Sequence, residues 1–185
     1  MLKYHLGMAD VLPKNKFLTY VLIVGIPLVS LYISPSSSSE PIDLPKMFLL
    51  APIGFASLFF TLANFKYLFT KENRVFTTLI FLILLFFTLP LFTSGANLTK
   101  QFYGAFGRNT GYLTYLSLIF VAIACYLLIN KSNTIIYLGT LLGCGVLSAF
   151  YSLLQTTHHD PIKWNNNYNP IIGFLGNPDF QSSFL

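Results

Sequence analysis

Residues 75–92 read VFTTLIFLILLFFTLPLF, eighteen positions without a charged side chain. A helix or strand on the surface of a soluble core would show apolar residues at a period of 3.6 or 2, with polar residues on the opposite face. Here the apolar residues form an unbroken block, close to the roughly 20 residues that an α-helix needs to cross a hydrocarbon core about 30 Å thick. Outward from this block, similar runs at 17–33, 47–65, 112–129 and 135–154 predict four further spans. The predicted fold class is therefore all-α: a polytopic transmembrane helical bundle of five complete spans, with a sixth beginning at Pro178. Eight residues remain from Pro178 onward, too few to cross a bilayer at 1.5 Å per residue. Residues 1–185 are accordingly expected to be a single, partial transmembrane domain of a larger multi-span protein.

Composition agrees with this reading. Hydrophobic residues make up 54% of the chain and charged residues 9%, against roughly 25% charged in an average soluble domain. The net charge of +5 reports orientation in such a protein, and no basic patch interleaved with aromatic residues points to nucleic acid. Cys125 and Cys144 both fall inside apolar runs, which suits small packing residues rather than a disulfide framework or a metal site. The stretch SPSSSSEP after the first run lacks a small-x-small cleavage signature, so that run is an uncleaved span.

Orientation follows from the basic residues of alternate connections. Lys3, Lys14, Lys16, Lys66, Lys71, Arg74 and Lys131 fall on one side, seven in all, and Lys46, Lys100, Arg108 and Lys163 on the other, four in all. Basic residues concentrate in cytoplasmic loops, which predicts a cytoplasmic tail at 1–16 and outer loops at 34–46, 93–111 and 155–177. The serines at 36–39 read as a flexible polar connector. Gly139 and Gly143, four apart in the last complete span, share a helix face that another helix could approach closely. Pro27, Pro52 and Pro90 lie in or near span interiors, where each removes a helical hydrogen bond.

The outer loops carry the chemistry. Arg108 stands in AFGRNTGYLTY four residues before Tyr112, at the mouth of the fourth span. The first N–H groups of a helix lack partners and carry partial positive charge, so a cation there is mildly unfavourable unless an anion joins it. A phosphate or carboxylate could then be held by the arginine fork and the free N–H groups together. Gly104, Gly107 and Gly111 add backbone freedom and close approach, and Lys100 supplies a second charge. Arg108 also fits a cation that snorkels to lipid headgroups, or a partner of Asp160 or Asp179.

In the third outer loop, Asn177, Pro178 and Asp179 form a helix start: Asn as N-cap, Pro at the first helical position and an acid in the first turn. His158, His159 and Asp160 read as a solvated loop, with no third ligand at metal spacing. Trp164, Tyr168 and Phe174 suit the membrane interface, although aromatic rings also stack on sugars. No paired carboxylates, Gly-rich nucleotide loop or Ser/His/Asp order marks catalytic residues, and no cofactor is implied.

Two of these segments together, FGRNTGYLTYL and GFLGNPDFQSSFL, resemble the amino-terminal half of the O-antigen ligase and polymerase family of bacterial envelope enzymes. The second turn reads Gly176, Asn177, Pro178, Asp179, Phe180, with aspartate where that family has a second asparagine. The resemblance covers about thirty residues, and the spans between match only in being hydrophobic. It implies a bacterial inner-membrane glycosyltransferase that takes a glycan from a polyprenyl diphosphate carrier at the outer face and joins it to a sugar, lipid or protein acceptor. It needs no nucleotide sugar and no metal. Arg108, with Lys100, Gly107 and Gly111, would then bind the lipid diphosphate. The family's large outer loop lies later in its chain, so the resemblance assigns no catalytic residue here and implies that residues 1–185 alone are inactive. A transporter or flippase-like subunit for a lipid-linked or anionic solute is the competing reading, since it too would use outward arginine and glycine-broken helices.

Overall fold

A computed structural model describes residues 15–34, 42–105, 110–162, 164 and 171–176. Six α-helices and one 3₁₀ turn account for its regular structure, and there is no strand among the described residues. The helices are α1 Lys16–Leu31, α2 Asp43–Ala63, α3 Arg74–Thr93, α4 Leu98–Tyr103, α5 Tyr112–Leu128 and α6 Thr134–Thr156, with the 3₁₀ turn at Phe65–Tyr67.

The expectation of five complete spans is met in part. Three helices, α2, α3 and α6, are long and apolar enough to cross a membrane. The other two predicted spans, α1 and α5, have 16 and 17 residues, or about 24–26 Å of helix. Local chemistry stops both of them. At the end of α1 the chain turns extended at Tyr32. Beyond α5, Ile129 is extended and Asn130 and Asn133 build a turn. Asn133 Oδ1 accepts from the Asn130 N–H at 2.7 Å, and its amide donates to the Leu128 carbonyl at 2.9 Å, taking up an end-of-helix acceptor. The predicted outer loop 93–111 also contains a helix, α4, which Asn97 caps by accepting from the Thr99 N–H at 2.8 Å. Pro27, Pro52 and Pro90 all lie within helices that continue past them.

The helices alternate in direction, so the connections gather at two ends. One, the Lys46 end, holds the end of α1, the start of α2, the α3–α4–α5 corner and the exit from α6. The other, the Lys71 end, holds the 64–73 and 129–133 turns. Helix α2 packs between α1 and α5, α6 lies on α1, and α3 lies on α5. The apolar core sits toward the Lys71 end, where Leu18 and Leu22 of α1 meet Phe60, Ile123, Ala124, Leu127, Leu128 and Tyr137. Asn73 fastens the same end: its amide donates to the Tyr67 carbonyl at 2.6 Å and its Oδ1 accepts from the Tyr126 hydroxyl at 2.6 Å. Phe76 stacks on Tyr126 with ring centres 3.8 Å apart. The thiols of Cys125 and Cys144 are free.

No residue of α3 is buried. Large apolar side chains also cover the outward face of α6, including Leu142 at 70% exposure. Surfaces this apolar suit lipid and not water.

The close helix contact is not where the glycine pair predicted it. A Cβ on Gly139 or Gly143 would meet nothing within 4 Å. The intimate approach is between α2 and α5, where a Cβ on Gly54 would collide with Ser117, whose Cα would lie at 2.7 Å. At the α1–α2 contact a Cβ on Gly25 would stand 2.6 Å from Ile53 Cδ1. Gly54→Val is therefore expected to push α2 off α5 and to destabilise the protein by about 1 to 3 kcal/mol, with Gly139→Val within about 0.5 kcal/mol of wild type. Thermal unfolding in detergent measures both, and equal losses at the two positions would contradict this packing.

Candidate functional site

At the Lys46 end the chain forms a tight corner between α3 and α5. Gly95, at φ +66°, turns the chain out of α3, and α4 follows. It ends at Gly104, whose φ of 89° and ψ of 175° lie in a region open to glycine alone. The Gly104 N–H returns to the Lys100 carbonyl at 2.9 Å. The chain next appears at Thr110, and Gly111 is the N-cap of α5. A Cβ on Gly111 would collide with Gly104 N, Phe102 O and Tyr103 C. The described chain on either side of residues 106–109 thus meets at a backbone contact between Gly111 and the end of α4.

The corner is held from below. The Tyr112 hydroxyl and Thr88 Oγ1 are hydrogen-bonded at 3.0 Å, and Phe87 stacks on Tyr115 at 4.7 Å. Phe102 lies 6.0 Å from the Tyr112 ring. Among the described residues no side chain caps the α5 amino terminus; the Gly111 carbonyl accepts from the Thr114 and Tyr115 N–H groups at 3.1 and 3.3 Å, as a helix start requires.

Of the residues singled out in the sequence, Lys100 and Gly111 come together at this corner, Lys100 exposed on α4 and Gly111 at the start of α5. Gly107 and Arg108 fall between them in sequence but lie outside the described residues, as do Asn177, Pro178 and Asp179, the serines at 36–39, Lys163 and Tyr168. The close approach at Gly111 is to the backbone of α4, which gives that glycine a packing role of its own. Gly111→Ala should force α4 and α5 apart and cost about 1 to 2 kcal/mol. A thermal midpoint equal to that of wild type would mean that the corner is looser than described.

Sequence reasoning missed a second cluster, on the far side of the same end. Asp160, expected in a solvated loop, is instead held against the end of α6, while Arg108, its other expected partner, lies outside the described residues. The Asp160 carboxylate accepts from Gln155 Nε2 at 2.7 Å, Trp164 Nε1 at 3.0 Å, the Tyr151 hydroxyl at 3.2 Å and the Ile162 N–H at 2.8 Å. Gln155, only 2% exposed, turns its amide oxygen to the N–H groups of Ile172 and Gly173 at 3.0 and 2.7 Å. Phe174 lies against Tyr151 with ring centres 4.5 Å apart. Lys46 then ties three elements together, since its ammonium donates to the Ser30 carbonyl at 2.9 Å and the Phe174 carbonyl at 2.6 Å. The first of these contacts places a cation on the negative end of α1.

Trp164 and Phe174, read as interface aromatics, are thus part of a polar latch that holds the 171–176 segment. The visible hints were Gln155 near the end of an apolar helix and Lys46 at the start of another. Their partners, up to 128 residues distant, cannot be found from spacing. His158 and His159 are exposed at the exit of α6, His158 with φ 60°. Among the described residues no group of three His, Cys, Asp or Glu side chains is placed to hold a metal ion.

Compared with known protein families, with curated proteins and with solved structures, the chain matches none.

Proposed function

We propose that these residues form the amino-terminal part of a membrane glycosyltransferase of the bacterial inner membrane, with the amino terminus in the cytoplasm and the Lys46 end outside. In this reading all five long apolar helices cross the membrane. The short α1 and α5 do so at the centre of the bundle, where longer neighbours and end residues make up the mismatch. The donor is a glycan on a polyprenyl diphosphate, and the acceptor a sugar, lipid or protein.

The observation that carries the reading is the corner between α4 and α5. Gly104 and Gly111, which flank Arg108 in sequence, meet at the backbone beside the exposed Lys100 and at the start of α5, which no described side chain caps. An arginine and a lysine close in sequence to the amino terminus of an apolar helix suit a diphosphate whose lipid tail lies in the bilayer. On departure of the glycan the diphosphate gains charge, and the same groups would stabilise it in the transition state. The resemblance of FGRNTGYLTYL and GFLGNPDFQSSFL to envelope glycan ligases and polymerases points the same way. Every described charged residue lies in a connection or the end turns of a helix, or on α4. That distribution favours chemistry at the surface over passage, because transporters place charge near the bilayer midplane.

Two results test the proposal. Cysteine placed at Ser37 should be labelled by a membrane-impermeant reagent from outside intact cells, and cysteine at Lys71 should not; the reverse pattern overturns the orientation. Membranes containing the full-length protein to which these residues are proposed to belong, a polyprenyl diphosphate glycan and an acceptor should yield a glycosylated acceptor and free polyprenyl diphosphate, and residues 1–185 alone should yield neither. Movement of intact donor across the bilayer with no new glycosidic bond would instead identify the transporter.

A further inference from the structure

The Lys71 end carries a site that the proposed reaction does not use. A cavity of about 430 Å³ opens between the 68–71 turn and the start of α3, within the roughly 300–1,000 Å³ of ordinary ligand sites. Lys71 and Arg74 line one part of it and Leu68, Phe69 and Phe81 another, and among the described residues no carboxylate lines it. Glu72 lies between the two cations in sequence but is not part of the wall.

Three threonines complete the lining, and they differ in one respect. Thr77 Oγ1 donates to the Leu68 carbonyl, and Thr78 Oγ1 donates to the Arg74 carbonyl at 2.8 Å. Thr70 Oγ1 is buried and has no hydrogen-bond partner among the described residues, a state that costs free energy unless a ligand relieves it. Arg74 is the first residue of α3, and Asn73 gives that helix no side-chain cap. A cation and a helix amino terminus together favour an anion. The apolar side of the cavity runs on to the surface of α3, where Phe69 is 72% and Phe81 64% exposed.

We propose that this cavity binds the phosphate of an anionic phospholipid, held by Lys71, Arg74 and the Thr70 hydroxyl, with its acyl chains lying along α3. Charge complementarity selects the headgroup, and the apolar helix α3, none of whose residues is buried, selects a lipid over a soluble phosphate ester. The inference requires only that the chain lie in a membrane and stands apart from the glycan reaction.

The test uses the detergent-purified chain and native mass spectrometry, with phosphatidylglycerol, phosphatidylcholine and inorganic phosphate as probes. Wild type should retain phosphatidylglycerol in preference to phosphatidylcholine, and millimolar phosphate should not displace it. The double substitution Lys71→Gln and Arg74→Gln should weaken phosphatidylglycerol binding about thirtyfold, the scale of two basic residues near a membrane surface. Thr70→Val, which removes the hydroxyl and keeps the shape, should weaken it about fivefold. Lys66→Gln with Lys131→Gln removes two charges at the same end that do not line the cavity, and should change binding by less than about threefold. Equal loss in both double variants would mean diffuse surface charge and overturn the site. Equal retention of phosphatidylcholine, or displacement by phosphate alone, would overturn the lipid. Lys71 and Arg74 are exposed, so their replacement leaves packing intact; should that variant still unfold, Thr70→Val decides the question.

Discussion

Gln155→Leu is expected to free the 171–176 segment from the end of α6. The amide of Gln155 makes three hydrogen bonds from a buried position: two accepted from Ile172 and Gly173, and one donated to Asp160. Leucine fills much of the same volume but leaves two backbone donors and one carboxylate oxygen short of a partner. Each unsatisfied buried group costs about 1 to 3 kcal/mol, and we expect about 3 to 5 kcal/mol for the set. The segment should respond by opening locally, because the apolar core lies at the other end of the bundle. Amide exchange at Ile172 and Gly173 should rise by about a hundredfold or more, with helices α2 and α5 unaffected. The chain has one tryptophan, Trp164, whose indole donates to Asp160, so its emission should shift to the red as the latch loosens. Gln155→Glu should open the segment as well, because it keeps the acceptor for the two N–H groups but sets a second carboxylate against Asp160. Unchanged exchange at Ile172 and Gly173 in Gln155→Leu would show that the latch does not hold the segment.

What the sequence made legible follows from how strongly each feature is constrained. A membrane forces long unbroken apolar runs, so 75–92 and its companions announced helices. Their ends were harder to place, because α5 is halted by hydrogen bonds of Asn130 and Asn133 that no hydropathy window sees. The short α4 hid inside a polar loop, and its one signal was Asn97 standing where an N-cap should. Glycine spacing pointed to Gly139 and Gly143, yet spacing identifies a face and not the neighbour that meets it. The glycine that does meet a neighbour, Gly54, has no spaced partner in its helix to mark it. Asp160 looked solvated because its donors come from Tyr151, Gln155 and Trp164, whose convergence depends on how α6 ends. The corner at Gly104 and Gly111 was legible as a place, from glycines flanking an arginine, and the structure adds the backbone contact between Gly111 and the end of α4.

The central claim is that Arg108 meets the diphosphate of a lipid-linked glycan at that corner. An arginine that only anchors the protein in the interface needs its charge and length, and lysine supplies both. An arginine that grips a diphosphate uses a planar fork with two-point contact, which lysine lacks. Loss of a hydrogen bond to a charged group costs about 1.5 to 3 kcal/mol, so Arg108→Ala should lower the rate of glycan transfer roughly tenfold to a hundredfold. Arg108→Lys should fall between alanine and wild type. Lys100→Ala, at the same corner, should reduce the rate less, since an exposed point charge is screened. The deciding measurement is the transfer rate of the full-length protein from a polyprenyl diphosphate donor at matched membrane expression, for wild type, Arg108→Lys and Arg108→Ala. The account predicts rates that descend in that order; an alanine variant as fast as wild type would contradict it and leave Arg108 as an interface anchor.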